Sequence, residues 1–186
     1  MPFTPPPQLK SSMFGRMPVG GGKPKGAGGG APAAAGPKGV RIEQRIGVQA
    51  PAATVWELIH ELAGWSAWNP LYTEASGRVQ IGETLTMTLS PPGAKPQPLS
   101  GVVLDWVPNE QLHWRSTAMG GLVKVTHYIE LEALAEESCI VNNGQIVGGF
   151  LGQAYARQMG GKIFRGLRQM NEALKEQAEA RWKGAV

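Results

Sequence analysis

The sequence predicts an α+β fold in which an antiparallel sheet is covered by one long C-terminal helix. Three observations carry that expectation. A strand-like segment and a helix open the folded part, about six short strand-like segments divided by turn formers follow, and an amphipathic stretch closes it. Strands joined by short turns pair as hairpins and build a meander, and a sheet with one apolar face needs a second layer to bury it.

The elements can be justified in order. "RIEQRIGV" puts Ile42, Gln44, Ile46 and Val48 on one face, the period of a half-buried strand. In "APAATVWELIHEL", Pro51 suits a first helical turn, and Val55, Trp56, Leu58, Ile59 and Leu62 recur at helical spacing. "GWSAWNPLY" follows, with Trp65 and Trp68 on a short helix that should end at Asn69, because Pro70 pushes the residue before it to an extended conformation. Strands are then expected in "GRVQ", "ETLTMTL", "LSGVVLDWV", "QLHWRSTA", "LVKVTHYIELEAL" and "CIVNNGQIV", punctuated by "SPPGAKPQP", "PNE", "MGG" and "AEES". From Gly149 to Lys183 the spacing of Ile163, Leu167, Met170, Leu174 and Ala178 predicts the long helix. Gly160-Gly161 is expected to kink or fray its first part.

Composition separates residues 1–39 from residues 40–186. The first segment holds Lys10, Arg16, Lys23, Lys25 and Lys38, no acid, and a Gly/Pro-rich stretch with almost nothing to bury, so it reads as a disordered basic tail. The remainder is near neutral, with 13 basic and 14 acidic residues. The tail suits loose, salt-sensitive attraction to an anionic surface, and its glycines form no phosphate-binding GxxxxGK[ST] loop. Nothing in the chain points to sequence-specific nucleic-acid recognition. No run is apolar and long enough for a membrane-spanning helix, and the N-terminus has no continuous apolar region of the secretory kind. The single cysteine, Cys139, leaves no intramolecular disulfide and fits a reducing compartment, so the cytoplasm is expected.

Several of these segments, in this order, resemble one superfamily. "VQAPAATVWELI", "WSAWNPLYTEASGRVQIGETLTMTL", "PNEQLHWR", "HYIELEAL" and "MNEALK" are similar to the SRPBCC proteins, the START-like and birch-pollen-allergen-like helix-grip group, and among them to the polyketide cyclase/dehydrase and lipid-transport subgroup. The resemblance spans roughly residues 40–182. It implies a curved sheet of six to seven strands wrapped around the C-terminal helix, with an apolar cavity between them. It also implies that the segment after the first helix lies at the cavity mouth. Trp65, Trp68, Leu71 and Tyr72 would then line or plug the mouth, and two readings stand for them, ligand contact or mere sealing of the core. Met87, Trp114, Val125, His127, Ile129, Asn142, Ile163, Leu167 and Met170 complete the expected lining.

Catalytic signals are sparse. "HELAG" is not HExxH, so His60 reads as a helix-surface residue. Parity puts His113 opposite Trp114, towards solvent, whereas His127 shares a face with Val123, Val125, Ile129 and Leu131. His127 is therefore the one candidate for a proton-transferring group, against the alternative of a hydrogen-bonded core histidine. Parity also groups Asp105 with Val103 and Val107, on a face that burial could cover. The resemblance implies an acid near "NNGQIVGG", but Asn, Gly and Gln stand there, which weakens any carboxylate–histidine dyad. No nucleophile elbow or metal-ligand cluster emerges, and no cofactor is expected.

The reading that follows is a binder or carrier of a hydrophobic small molecule, with His127, Asn142 or Asn143 choosing a hydroxyl or carbonyl. An aromatase/cyclase- or dehydratase-type enzyme using the same cavity is the alternative. An interaction module with a basic tail for an anionic partner is the third.

Overall fold

The computed structural model describes residues 39–184. The expected basic tail lies outside the described residues, apart from Gly39. The elements run β1 (Val40–Val48), α1 (Ala52–His60), α2 (Trp65–Trp68), β2 (Tyr72–Ser76), β3 (Thr84–Leu89), β4 (Gln97–Val107), β5 (Gln111–Ala118), β6 (Val123–Ala135), β7 (Ser138–Gly148) and α3 (Gly152–Gly184). The strands form one seven-stranded antiparallel sheet in the order β1-β7-β6-β5-β4-β3-β2. Strands β2 to β7 are a meander, and β1 pairs with the free side of β7. The chain between β1 and β2 must therefore cross from one sheet edge to the other, and α1 and α2 fill that crossing. This is the expected α+β helix-grip architecture.

The inner face is built by alternation. Leu85, Met87 and Leu89 of β3, Leu112, Trp114 and Ser116 of β5, and Val125, His127, Ile129 and Leu131 of β6 are all buried. On β7 the buried set is Cys139, Val141, Asn143, Gln145 and Val147, joined by Gly144 on the other face. Helix α3 covers this face with Ile163, Leu167, Met170, Leu174 and Ala178, the stripe its periodicity predicts.

Three local expectations are corrected. The strand expected in "GRVQ" does not form: Gly77, at φ +122°, ends the pairing, and β2 is the segment just before it, Tyr72–Ser76. Asp105 does not share the face of Val103, because β4 carries a bulge against β5 between these two residues. The extra residue inverts the alternation, so Trp106 opposes inward-facing Leu112 while Asp105 opposes His113 and accepts a 2.6 Å hydrogen bond from Gln111 Nε2. Gly160-Gly161 does not break α3, which is a single helix of 33 residues. The cost of two helix glycines, about 1 kcal/mol each, is offset by the stripe of side chains buried on the sheet.

Glycines in α3 are not equivalent. A Cβ on Gly161 would meet nothing closer than the Arg165 guanidinium at 3.9 Å, whereas a Cβ on buried Gly166 would lie 2.6 Å from Leu71 Cδ1 and 3.3 Å from Pro92 Cδ. Among the described residues no helix is long and apolar enough to cross a membrane. Gly161→Ala is expected to stabilise the protein by about 0.5–1 kcal/mol through the lower entropy of the unfolded chain. Gly166→Ala should instead lower the melting temperature, because Leu71 is fully buried and has nowhere to move. Thermal unfolding of the two variants checks both signs.

Candidate functional site

One row of side chains crosses the middle of the inner face. Register places Val103, Trp114, His127, Gln145 and Ile42 side by side on β4, β5, β6, β7 and β1. The row begins and ends apolar, but its centre is polar. His127 is 1% exposed, Gln145 is equally buried, and Ser116, diagonal to His127 on β5, completes a buried polar group.

Tyr72 arrives at this group from the far edge of the sheet. Its hydroxyl lies 3.1 Å from His127 Nδ1 and accepts a hydrogen bond of 2.8 Å from Gln145 Nε2. The local sequence explains how Tyr72 is aimed. Helix α2 ends at Asn69, whose extended backbone is the conformation that Pro70 imposes. The Asn69 Oδ1 then accepts from the backbone N–H groups of Leu71 and Tyr72, both at 3.0 Å, fixing the turn into β2. Upstream, the Trp65 indole N–H is shared by the carbonyls of Leu58 and Ile59, each at 3.1 Å. Those carbonyls lie in the last turn of α1, where helical partners run out, so Trp65 both caps the helix and fills the core.

Gln145 donates to the Tyr72 oxygen. In the tautomer in which the phenolic proton is given to His127 Nδ1, the imidazole carries its own proton on Nε2. That N–H reaches Ser116 Oγ at 2.7 Å. Burial lowers the His127 pKa from its usual 6.5 to about 3, and burial raises that of Tyr72. Both are neutral at physiological pH. Trp114 stacks on the imidazole, with ring centroids 5.0 Å apart and planes within 4°. Its own indole N–H is buried without a hydrogen-bond partner among the described residues, as is the Asn69 Nδ2.

A second polar layer joins the sheet to α3. Asn143 Nδ2 donates to Asn171 Oδ1 and approaches Met170 Sδ, both at 3.2 Å, and Asn171 Nδ2 donates to the Gln44 carbonyl at 3.4 Å. No charged side chain is among the buried polar residues of the described fold.

Leu71, Tyr72, Met87, Trp114, Val125, Ile129, Ile163, Leu167 and Met170 are buried in one core, and His127 is buried with them. One expectation is corrected. Asn142 faces outwards, where its Nδ2 donates to Glu130 at 3.1 Å, because its parity on β7 is opposite to that of Asn143 and Gln145. Around Trp65 the aromatic rings pack against one another. Trp65 is 0% exposed and its ring meets those of Trp68, Tyr72 and Trp114 at centroid distances of 6.1, 6.1 and 6.5 Å. Trp68 remains half-buried at the margin. Ser116, Gln145 and Asn171 are the members that sequence reasoning left out of the site. The available signal was a polar residue at an inward parity of an apolar strand, and for Asn171 a polar residue beside the helix stripe. An open groove of about 710 Å³ lies on the outer face instead, bordered by the solvated ion pairs Arg41–Glu43 and Arg45–Glu132, which suit water as well as any ligand.

Comparison with known proteins agrees with this geometry. The family described as polyketide cyclase/dehydrase and lipid transport matches residues 39–179. Among solved structures, the Zhui aromatase/cyclase from Streptomyces sp. R1128 superposes with a TM-score of 0.63 at 16% identity, covering 78% of this chain and 97% of its own. A norcoclaurine synthase variant from Thalictrum flavum gives 0.59 at 13%, with 76% and 95% covered. A hypothetical protein from Helicobacter pylori gives 0.64 at 11%, with 78% and 91% covered. At such identities the likeness shows the fold alone. Among curated proteins, none matches the sequence.

The buried imidazole sets a pH dependence. A histidine that is neutral when folded and protonates at about 6.5 when unfolded contributes stability that is present above pH 6.5 and lost as pH falls towards 3. The loss should approach 1.4 kcal/mol per pH unit. Glu43 and Glu179, whose pKa values are lowered from 4.5 by hydrogen bonds from Tyr128 and from the Gln49 amide, respectively, add their losses only below that pH. Urea unfolding between pH 6.5 and 4.5 should thus show a loss of about 2 kcal/mol that disappears in His127→Gln.

Proposed function

Because the chain belongs to the polyketide cyclase/dehydrase and lipid transport family, we propose that it binds and carries a neutral hydrophobic small molecule between its sheet and α3, without chemistry of its own. The observation that carries this reading is the polar centre of the inner row together with the unpartnered Trp114 indole N–H. Burying a donor without a partner costs about 1–3 kcal/mol, a cost that a core built only for stability has no reason to retain. A ligand oxygen would remove it. Once Ser116 Oγ accepts from His127, its own hydroxyl proton is a second donor beside the indole. Two neutral donors and no buried charge suit a carbonyl, ester or hydroxyl oxygen, whereas a carboxylate would enter without a counter-ion.

The apolar surroundings supply the affinity. Burying ~300 Å² of apolar ligand surface is worth about 7 kcal/mol before association costs, which leaves roughly micromolar binding. Admission of the ligand requires the aromatic contacts of Trp65, Trp68 and Tyr72 to separate. Trp68, half-buried at the edge of these rings, is the member that separates with the least loss of packing. A cytoplasmic protein is part of the same reading, and the buried thiol of Cys139 accords with it.

The alternative is an aromatase/cyclase- or dehydratase-type enzyme with His127 as proton shuttle. An imidazole that takes a proton only near pH 3 is poorly matched to proton transfer at neutral pH, which favours the binding reading.

Native mass spectrometry of protein from its own host, followed by organic extraction, tests the proposal. A stoichiometric, uncharged apolar passenger is expected. A clean apo mass, joined to no change in tryptophan fluorescence with added long-chain esters or polycyclic ketones, would sink it. Trp114→Phe should weaken retention of the extracted passenger by about tenfold through loss of one hydrogen bond. Turnover of a poly-β-carbonyl substrate that vanishes in His127→Ala while binding persists would establish the enzyme instead.

A further inference from the structure

Asn69 holds a hydrogen-bond donor that the fold does not use. Its side chain is 2% exposed, and the two ends of its amide are treated differently. The Oδ1 accepts from the backbone N–H groups of Leu71 and Tyr72, and two donors at this end identify it as the oxygen. The Nδ2, with two protons to give, is buried and has no partner among the described residues. The turn into β2 needs only an acceptor, which Asp or Ser would also supply. Asn is the choice that leaves a surplus donor where it is shut off from solvent.

The other buried side-chain donor without a partner among the described residues is the Trp114 indole N–H. Both belong to residues that touch Trp65 and Tyr72. Asn69 closes α2, its own N–H donating to the Trp65 carbonyl at 2.7 Å, while its Oδ1 is bonded to the Tyr72 amide. Trp114 meets the same two residues from the sheet, edge to face, with ring centroids 6.5 Å from Trp65 and 5.7 Å from Tyr72. One unused donor therefore stands on the segment that carries the aromatic rings, and the other on the sheet against which those rings pack.

We propose that Asn69 is a specificity-determining ligand contact, its Nδ2 donating to a second acceptor group of the molecule whose first oxygen is held by Trp114 and Ser116. The inference rests on the carrier reading above and narrows it. The ligand is then an uncharged apolar molecule with two separated acceptor groups, such as a keto ester or a diester, rather than one with a single polar end. A molecule with one acceptor group satisfies one donor and leaves the other buried and unpaired. A molecule with two relieves both, so the discrimination comes from the cost of the donor left over. Asn69 lies in the chain between Trp68 and Tyr72, two of the residues whose rings part on that reading, so its amide is carried by the segment that yields to the ligand.

Tryptophan fluorescence titration of the full chain tests the proposal. Methyl decanoate is the probe with one acceptor group, and its oxo derivatives, with a ketone at the third, fifth or seventh carbon, are the probes with two. One of the oxo esters is expected to bind about tenfold more tightly than methyl decanoate. Asn69→Asp and Asn69→Ser both keep an acceptor for the turn and remove the amide donor, so thermal unfolding should find them folded. Both should erase the preference for the oxo ester, and Asn69→Ser should bind methyl decanoate within about twofold of the parent. Trp114→Phe should instead weaken every probe alike. If methyl decanoate binds but no oxo ester is preferred, or if the preference survives in either folded variant, the role of Asn69 is overturned and the carrier reading stands. Failure of every probe to bind the parent overturns both.

Discussion

The hydroxyl of Tyr72, held between His127 and Gln145, fixes how far the sheet must curl, and the rest of the architecture depends on that curl. Tyr72 begins β2, at the opposite edge of the sheet from β1, and its partners lie on β6 and β7. Along a flat sheet β2 and β6 would be about 19 Å apart, four strand spacings, far beyond the reach of a tyrosine side chain. Only a strongly curved sheet lets these groups meet. The bulges between β2 and β3, β4 and β5, and β6 and β7 provide local bending, and α3 fills the concavity so formed.

The same constraint explains why the interior is neutral. Tyr72, His127, Ser116 and Gln145 satisfy one another in a chain of hydrogen bonds, and burial holds both titratable members in their uncharged forms. A charge in this row would have no opposite partner among the described residues of the core. The arrangement therefore offers dipoles rather than charges, and Trp114, stacked on the imidazole, adds a donor at the edge of the polar group. Charged residues are kept to the outer face and the helix surface, where pairs such as Arg168–Glu172 are solvated and contribute little.

The interior of the fold is apolar with a small polar centre, a composition that small-molecule sites share. On the carrier reading proposed above, a ligand has to part the rings of Trp65, Trp68 and Tyr72 to reach that centre.

Periodicity determined most of the elements, though not β2, which precedes the segment expected to form a strand. Alternation in "LVKVTHYIEL" and the spacing of Ile163, Leu167, Met170 and Leu174 are consequences of backbone geometry, and they placed His127 indoors and α3 on the sheet without any knowledge of partners. Asn69-Pro70 likewise fixed the end of α2, since the steric restriction is local. What lay beyond the sequence was everything that depends on pairing between distant strands. The bulge that turned Asp105 outwards, the meeting of Tyr72 with Gln145, the orphaned indole of Trp114 and the joining of Leu151 to Leu122 each require a register or a curl set by the whole sheet. Local chemistry chooses strand or helix, and only closure of the sheet around α3 decides which polar groups find one another.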